Sequence, residues 1–260
     1  MNFDARSEIY NKYRKADWRL TNKIVDLLSL EKGSIIADIG AGTGNYSIAI
    51  QNQGYQVIAI EPSIKMIEEC SDSRNILFVN SPAENILLND NIVDGTIIIN
   101  AIHHFKNLAQ AFYEVNRISK PGPLLILTFD PMICRKIWLY DYWPHLRTYI
   151  DEYYLNINIL KELLRKIFDT EIEEIAYNIP IDFEDTFASA LWGRPHLLLE
   201  EKRRSAMSLF NFMDSKQLKY GLKRLENDLL TKKWEKKYSY LSGLDSYDVG
   251  YRFLLLHIKR

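Results

Sequence analysis

The chain has little with which to staple itself together. Its 260 residues include two cysteines, Cys70 and Cys134. These have no metal-ligand spacing and give no disulfide framework, so the expectation is a reducing compartment and no bound metal. No zinc, P-loop or Ser-His-Asp signature occurs, and there are no repeats or low-complexity tracts. No apolar run reaches the length that spans a bilayer, and Met1-Asn2-Phe3-Asp4 does not begin a signal peptide, so the chain is expected to be cytoplasmic, with no membrane partner. An excess of charge is absent too. Thirty-three Lys and Arg against thirty-four Asp and Glu leave a formal net charge of −1, with no global attraction to nucleic acid or acidic lipid.

Glycine is also scarce, with eleven in the chain, yet Gly40, Gly42 and Gly44 stand within five residues. They follow the short apolar run Ile35-Ile36-Ala37-Asp38-Ile39, which reads as a buried parallel strand. Tyr46, Ala49 and Ile50 then fall at helical spacing, with Gly54 as a stop. A strand that feeds a glycine turn and a helix start is a ligand platform, because missing Cβ atoms expose backbone amides. The dinucleotide fingerprint needs its third glycine at 45, where this chain has Asn45. That disfavours an NAD-dependent oxidoreductase. Asp38, just before the turn, would repel a pyrophosphate and suits a ligand carrying an amino group or positive charge.

The remaining elements alternate. Tyr55–Ile60 reads as a second strand, 75–80 as a third, 93–99 as a fourth and 124–129 as a fifth. Between the last two, Leu108, Ala111, Phe112, Val115 and Ile118 mark an amphipathic helix. Residues 1–33 read as helical, with Leu20, Ile24, Leu27 and Leu28 on one face. Leu160–Phe168 reads as a helix, Glu171–Tyr177 as a sixth strand and Tyr251–Ile258 as a buried last strand. Strand–helix alternation implies a parallel sheet with right-handed crossovers. Glu61 ends the second strand about twenty residues after the glycine turn, where such folds place an acid on a ribose diol. Pro62 and the helix-capping Ser63 follow it. Ile64 and Met66 could wall an adenine or belong to the core.

The ordered set Asp38-x-Gly40-x-Gly42-x-Gly44, Glu61, Ala83-Glu84 and Asn100-Ala101-Ile102-His103-His104-Phe105 resembles the class I S-adenosylmethionine-dependent methyltransferases of small-molecule type. It is similar to those of ubiquinone and menaquinone biosynthesis. The likeness covers roughly residues 10–130 and implies an α/β fold, Rossmann-like, with seven mostly parallel strands, helices on both faces and a helical lid insert. It implies S-adenosylmethionine as cofactor and S-adenosylhomocysteine as product. Asp38, Gly40, Gly42, Gly44, Glu61, Pro62, Ala83, Glu84, Asn100 and Ala101 would then form the cofactor site. Arg14, in the polar and aromatic stretch Tyr10–Asp17, would pair with the cofactor carboxylate or be a solvated surface residue.

His104 is the candidate base, or a structural residue that anchors the loop. His103, Phe105, Trp138 and Tyr142 are candidates for the acceptor pocket, with packing as the alternative for the dense aromatics at 138–143. Residues 1–181 and 244–260 are expected to form the core domain with an N-terminal helix covering the cofactor. Residues 182–243 are expected to form the insert, a lid over the site. Its lysines, among them Lys216, Lys219, Lys223, Lys232, Lys233, Lys236 and Lys237, read as a solvated face or an RNA-binding surface. The function implied is methyl transfer to a small molecule. The alternatives are an RNA or protein methyltransferase and a cofactor-binding protein without catalysis.

Overall fold

The computed structural model describes residues 13–70, 76–211 and 213–259. Tyr10, Asn11 and Lys12 of the expected N-terminal segment lie outside the described residues. The chain falls into two compact units. One, the sheet unit, comprises residues 16–129, 155–176 and 252 onward; the other takes in residues 130–154 and 177–251 together with the N-terminal segment up to residue 15.

Seven strands build the sheet unit: β1 (Ile35–Ile39), β2 (Gln56–Ile60), β3 (Leu77–Val79), β4 (Gly95–Ile99), β5 (Gly122–Phe129), β6 (Glu173–Ala176) and β7 (Tyr251–Ile258). Their order across the sheet is β3-β2-β1-β4-β5-β7-β6. The first five pair in parallel, and β7 pairs antiparallel with β6, from Glu173 opposite Leu255 to Ala176 opposite Arg252. The last strand thus lies between the fifth and sixth. Successive strands run outward from β1 to β3, and the chain then returns to place β4 on the other side of β1. The carboxyl ends of β1 and β4 therefore meet at a topological switch point, where open α/β sheets leave a crevice for ligands.

Strand alternation sets the two faces. Ala37, Ile39, Ile58, Ile60, Ile98, Leu124 and Ile126 pack with Phe112 and Val115 of α4 (Leu108–Ile118) and Leu160 and Leu164 of α5 (Ile157–Phe168). The intervening Ile36, Val57, Ile97 and Leu125 point the other way and are just as buried, so both faces are covered. On that side α1 (Trp18–Leu28) packs on α2 (Asn45–Gln51) and against β5.

The helix expected from residue 1 is shorter at its start: α1 begins at Trp18, and residues 15–17 are not helical. Asp17 explains the start. It sits in extended conformation, accepts from the Arg19 amide and takes the Arg19 guanidinium, making it the N-cap.

The second unit is built from short helices and 3₁₀ turns around one long helix, Ser215–Leu230, with a small ribbon pairing Ile179–Pro180 and Ser246–Tyr247. The insert expected over 182–243 falls inside it, together with 130–154. Its core holds an aromatic cluster: Trp138 packs its ring on Tyr142, Trp234 and Tyr238, with centroids 5.9, 5.4 and 6.1 Å away.

Candidate active site

The site starts where β1 ends. The chain turns through Gly40, Gly42 and Gly44, at φ of 76°, 60° and 75°. The Gly40 and Ala41 amides donate to the Ile60 carbonyl at 2.8 and 3.1 Å, which ties the turn to the end of β2. Gly40 and Gly42 are glycine for different reasons. A Cβ on Gly40 would stand 2.5 Å from that of Ala101, so its absence lets the loop after β4 approach the turn. A Cβ on Gly42 would meet only the Met66 methyl, at 3.4 Å, so the backbone there is open to a ligand.

Two acids line this turn. Glu61 is buried at the end of β2; its Oε2 accepts from the Gly42 amide and its Oε1 from the Ser63 amide, both at 2.9 Å. The Asn80 amide group, at 3.0 Å, donates to the Glu61 carbonyl and fixes its backbone. Asp38 is buried and accepts from the Ser47 hydroxyl at 2.6 Å. Burial pushes the Asp38 carboxyl up to about 6; the Ser47 bond works against the shift, and the Glu61 carboxylate adds to it. Ser47 and Asn80 were not among the expected site residues. Ser47 carried a faint signal, a small polar residue on the apolar face of α2.

The loop after β4 closes the crevice. Asn100 turns out of the strand at φ 50°, and its amide donates to the Leu127 carbonyl of β5 at 2.8 Å. A 3₁₀ turn, Ile102–His104, carries the histidine pair, whose ring centroids stand 4.1 Å apart at an interplanar angle of 49°. His103 is half-buried and His104 exposed. Burial, assisted by His104, pushes the His103 imidazole down to about 3. Partial loss of hydration to its neighbours also lowers His104, although its side chain reaches solvent, while the Glu61 carboxylate acts in the opposite sense. Both rings are therefore neutral near pH 7, and a neutral imidazole can accept a proton. Phe105 is half-buried, with a ring carbon 3.7 Å from where a Gly40 Cβ would stand.

Of the remaining expected residues, Ala83 and Ala101 are buried in the sheet core, and Pro62 is exposed. Ile64 is 60% exposed and so is not core, and Met66 is half-buried beside Gly42. Glu84 Oε1 accepts from the backbone amides of Lys106 and Asn107, at 2.6 and 3.1 Å.

Arg14, Trp138 and Tyr142 belong to the second unit. Arg14 donates through Nε to the buried Asp185 at 2.6 Å. Trp138 is buried and donates through Nε1 to the Trp192 carbonyl at 2.6 Å, and Tyr142 donates to Asp228 at 2.9 Å. Among the basic residues there, Lys216, Lys219 and Lys223 are exposed, and Lys237 pairs with Asp141 at 2.9 Å. No group of His, Cys, Asp and Glu among the described residues could hold a metal ion.

This geometry has relatives. A family profile described as a methyltransferase domain matches residues 37–127, which holds the turn, both acids and the histidine loop. A solved Anabaena variabilis protein, provisionally assigned as a methyltransferase from an antibiotic biosynthesis pathway, is 40% identical. The match covers 94% of this chain and 98% of that one, with a TM-score of 0.90. A provisionally named methyltransferase of Dictyostelium discoideum is 29% identical over 170 residues, 60% of this chain and 64% of the relative. The ubiquinone/menaquinone biosynthesis C-methyltransferase of Blochmanniella pennsylvanica is 31% identical over 108 residues, 37% of this chain and 42% of the relative. The chain thus spans less than two thirds of the length of the curated relatives it matches.

Proposed function

Because the chain belongs to the class I S-adenosylmethionine-dependent methyltransferases, we propose that it transfers a methyl group from S-adenosylmethionine to a small-molecule acceptor. The observation that supports this reading is the Glu61 carboxylate held beside the open backbone of Gly42. A carboxylate there offers two acceptors to a ribose diol and repels a phosphate. The open Gly42 backbone leaves room for a ligand against the turn, and Asp38, just before the turn, is an acid suited to an amino group. The residues present therefore fit S-adenosylmethionine.

When bound, the cofactor supplies a methyl already made electrophilic by its sulfonium. The protein's task is alignment, with the acceptor atom held at roughly 3 Å from the methyl in a near-attack geometry. Gly40, Gly42 and Gly44 present the backbone, Glu61 orients the ribose, and the loop after β4 supplies Asn100, Ala101 and the histidines. Where the acceptor must lose a proton, His104, neutral and exposed, takes it. We read the insert of the second unit as a lid, so amide exchange over residues 182–243 should slow when ligand binds.

Calorimetry tests the reading: S-adenosylhomocysteine should bind and NAD should not, and the reverse result would sink it. Glu61→Ala should weaken S-adenosylhomocysteine binding by about 1–3 kcal/mol, the usual cost of losing charge-assisted hydrogen bonds. Once an acceptor is in hand, a fully active His104→Asn enzyme with an unaltered pH profile would remove His104 from the chemistry and leave alignment alone.

A further inference from the structure

Glu84, which the resemblance places in the cofactor site, bonds to the backbone just beyond the histidine loop. It follows the buried Ala83 in a turn closed by the Asn85 amide on the Pro82 carbonyl, at 3.2 Å. Its Oε1 receives two amides from another segment, those of Lys106 and Asn107. These lie just before α4, whose N-cap is Asn107. Amides at a helix start have no partner within the helix. In a local capping box the third helical residue reaches back to the N-cap amide. Here that residue is Gln110; its own amide is taken by the Asn107 side chain at 3.1 Å, and the N-cap amide goes to Glu84 from the loop after β3. The cap is thus supplied from 22 and 23 residues away.

The bonded amides stand two to four residues beyond His103 and His104. The histidine turn has its own short bonds, from the His104 amide to Ala101 at 2.9 Å and from the Phe105 amide to Ile102 at 3.2 Å. Phe105 then runs extended. Glu84 therefore holds the outgoing end of the loop, as the Asn100 amide on Leu127 holds the incoming end. A second strap joins the same two segments further along and does not involve Glu84. Glu114 accepts from the Ile86 amide at 2.8 Å, and Arg117 donates to the Ile86 and Leu88 carbonyls, both at 2.8 Å. Loss of Glu84 alone should therefore leave α4 docked.

We propose that Glu84 is a positioning residue for the His103–His104 loop: it fixes the backbone that presents the histidines and Phe105, rather than binding the cofactor itself. The link to the reaction rests on the methyltransferase reading, but the contact itself can be tested without turnover. The full chain is compared with Glu84→Gln and Glu84→Ala by site-resolved amide exchange, by the ring resonances of His103 and His104, and by calorimetry with S-adenosylhomocysteine.

Glutamine keeps an oxygen that can accept both amides, so Glu84→Gln should behave nearly as wild type. Glu84→Ala should speed exchange over residues 102–107 by about tenfold or more, as expected when a charged acceptor is withdrawn from two amides. It should also shift the histidine ring signals, leave exchange over 112–118 unchanged, and alter S-adenosylhomocysteine affinity by less than about threefold, because the glycine turn and Glu61 are untouched. Unchanged exchange over 102–107 in Glu84→Ala overturns the proposal, most directly if binding falls tenfold. Equal acceleration over 102–107 and 112–118 also overturns it, since Glu84 would then support the fold in general. A wild-type chain that binds no S-adenosylhomocysteine would sink the functional reading, while the exchange data would still decide the role of Glu84.

Discussion

In the sheet unit the buried side chains are mainly Ile, Leu, Val and Ala, alternating along strands. In the second unit aliphatic residues are buried too, but the largest fully buried side chains include Trp138, Trp143, Trp192, Tyr140 and Phe183, held on short helices, turns and loops. Aliphatic side chains pack by shape alone, so their period along a strand or helix carries most of the information. Aromatic side chains bring polar edges that must also be satisfied. The Trp138 indole donates to Trp192, and the Trp192 indole donates to Ile179 at 2.9 Å. Tyr238 donates to Asp141, 97 residues away, at 2.9 Å. The second unit is thus held by directed bonds between segments remote in sequence, the first by repeated apolar layers. Of the chain's five tryptophans, only Trp18 lies in the sheet unit, and it is 60% exposed, so the indoles that pack the interior belong to the second.

Removing a ring should show the contrast most strongly. Trp138→Ala deletes the centre of the aromatic cluster and should cost about 3–5 kcal/mol in denaturant unfolding, the range for large aromatic truncations in cores. Trp138→Phe should recover part of that loss but leave the Trp192 carbonyl without its donor. A Trp138→Phe chain as stable as the wild type would mean that the indole bond contributes nothing.

The corresponding break in the sheet unit is a single methyl. Gly40→Ala places a Cβ against Ala101 at a left-handed φ and should cost about 2–4 kcal/mol, from overpacking and backbone strain together. S-adenosylhomocysteine binding should fall with it, since the same turn carries Gly42.

Asp38 gives the sheet unit a dependence on pH. Its carboxyl is raised to about 6 in the folded chain, against about 4 for an aspartate in the unfolded chain. The folded state therefore holds the proton after the unfolded state has released it. Stability should fall as pH rises from about 4 to about 6, by about 2–3 kcal/mol at most, and stay flat above that range. In unfolding measured without cofactor, Asp38→Asn should remove this slope. A wild-type slope of opposite sign would show Asp38 to be stabilised as the anion.

The smallest effect expected is at Gly221, inside the helix Ser215–Leu230. An interior glycine costs a helix about 1 kcal/mol relative to alanine. Here the Trp143 indole packs against the glycine, in the space that a Cβ would fill. Gly221→Ala should therefore destabilise by about 1–2 kcal/mol, the clash outweighing the gain in helix propensity. A more stable Gly221→Ala would show that the ring can move aside.

The two units also differ in how far they could be read in advance. β1, β2 and β5, the amphipathic helix at 108–118 and the last strand at 251–258 follow from apolar runs and spacing, and the structure has each of them. Glu61 was legible from its distance to the glycine turn, and it does face that turn. The partners of these residues were not legible. Ser47 beneath Asp38 and the Lys106 and Asn107 amides on Glu84 come from segments whose spacing gives no hint of contact. Trp138 and Tyr142 were visible as dense aromatics, but the choice between pocket and packing depended on Trp192, Trp234, Tyr238 and Asp228, far along the chain.

By itself the sequence determined what is periodic or local: which runs are strands, which face of each helix is apolar, and where a glycine turn must leave the backbone bare. Those features follow from side-chain direction and backbone sterics within a few residues, so they are written locally. Only the tertiary structure decided that Gly40 must be glycine because Ala101 stands against it, and that Glu84 is spent on two amides of the histidine loop. Those outcomes depend on which loops the strand order brings together at the crevice beside β1, a long-range choice made by burial of the whole sheet.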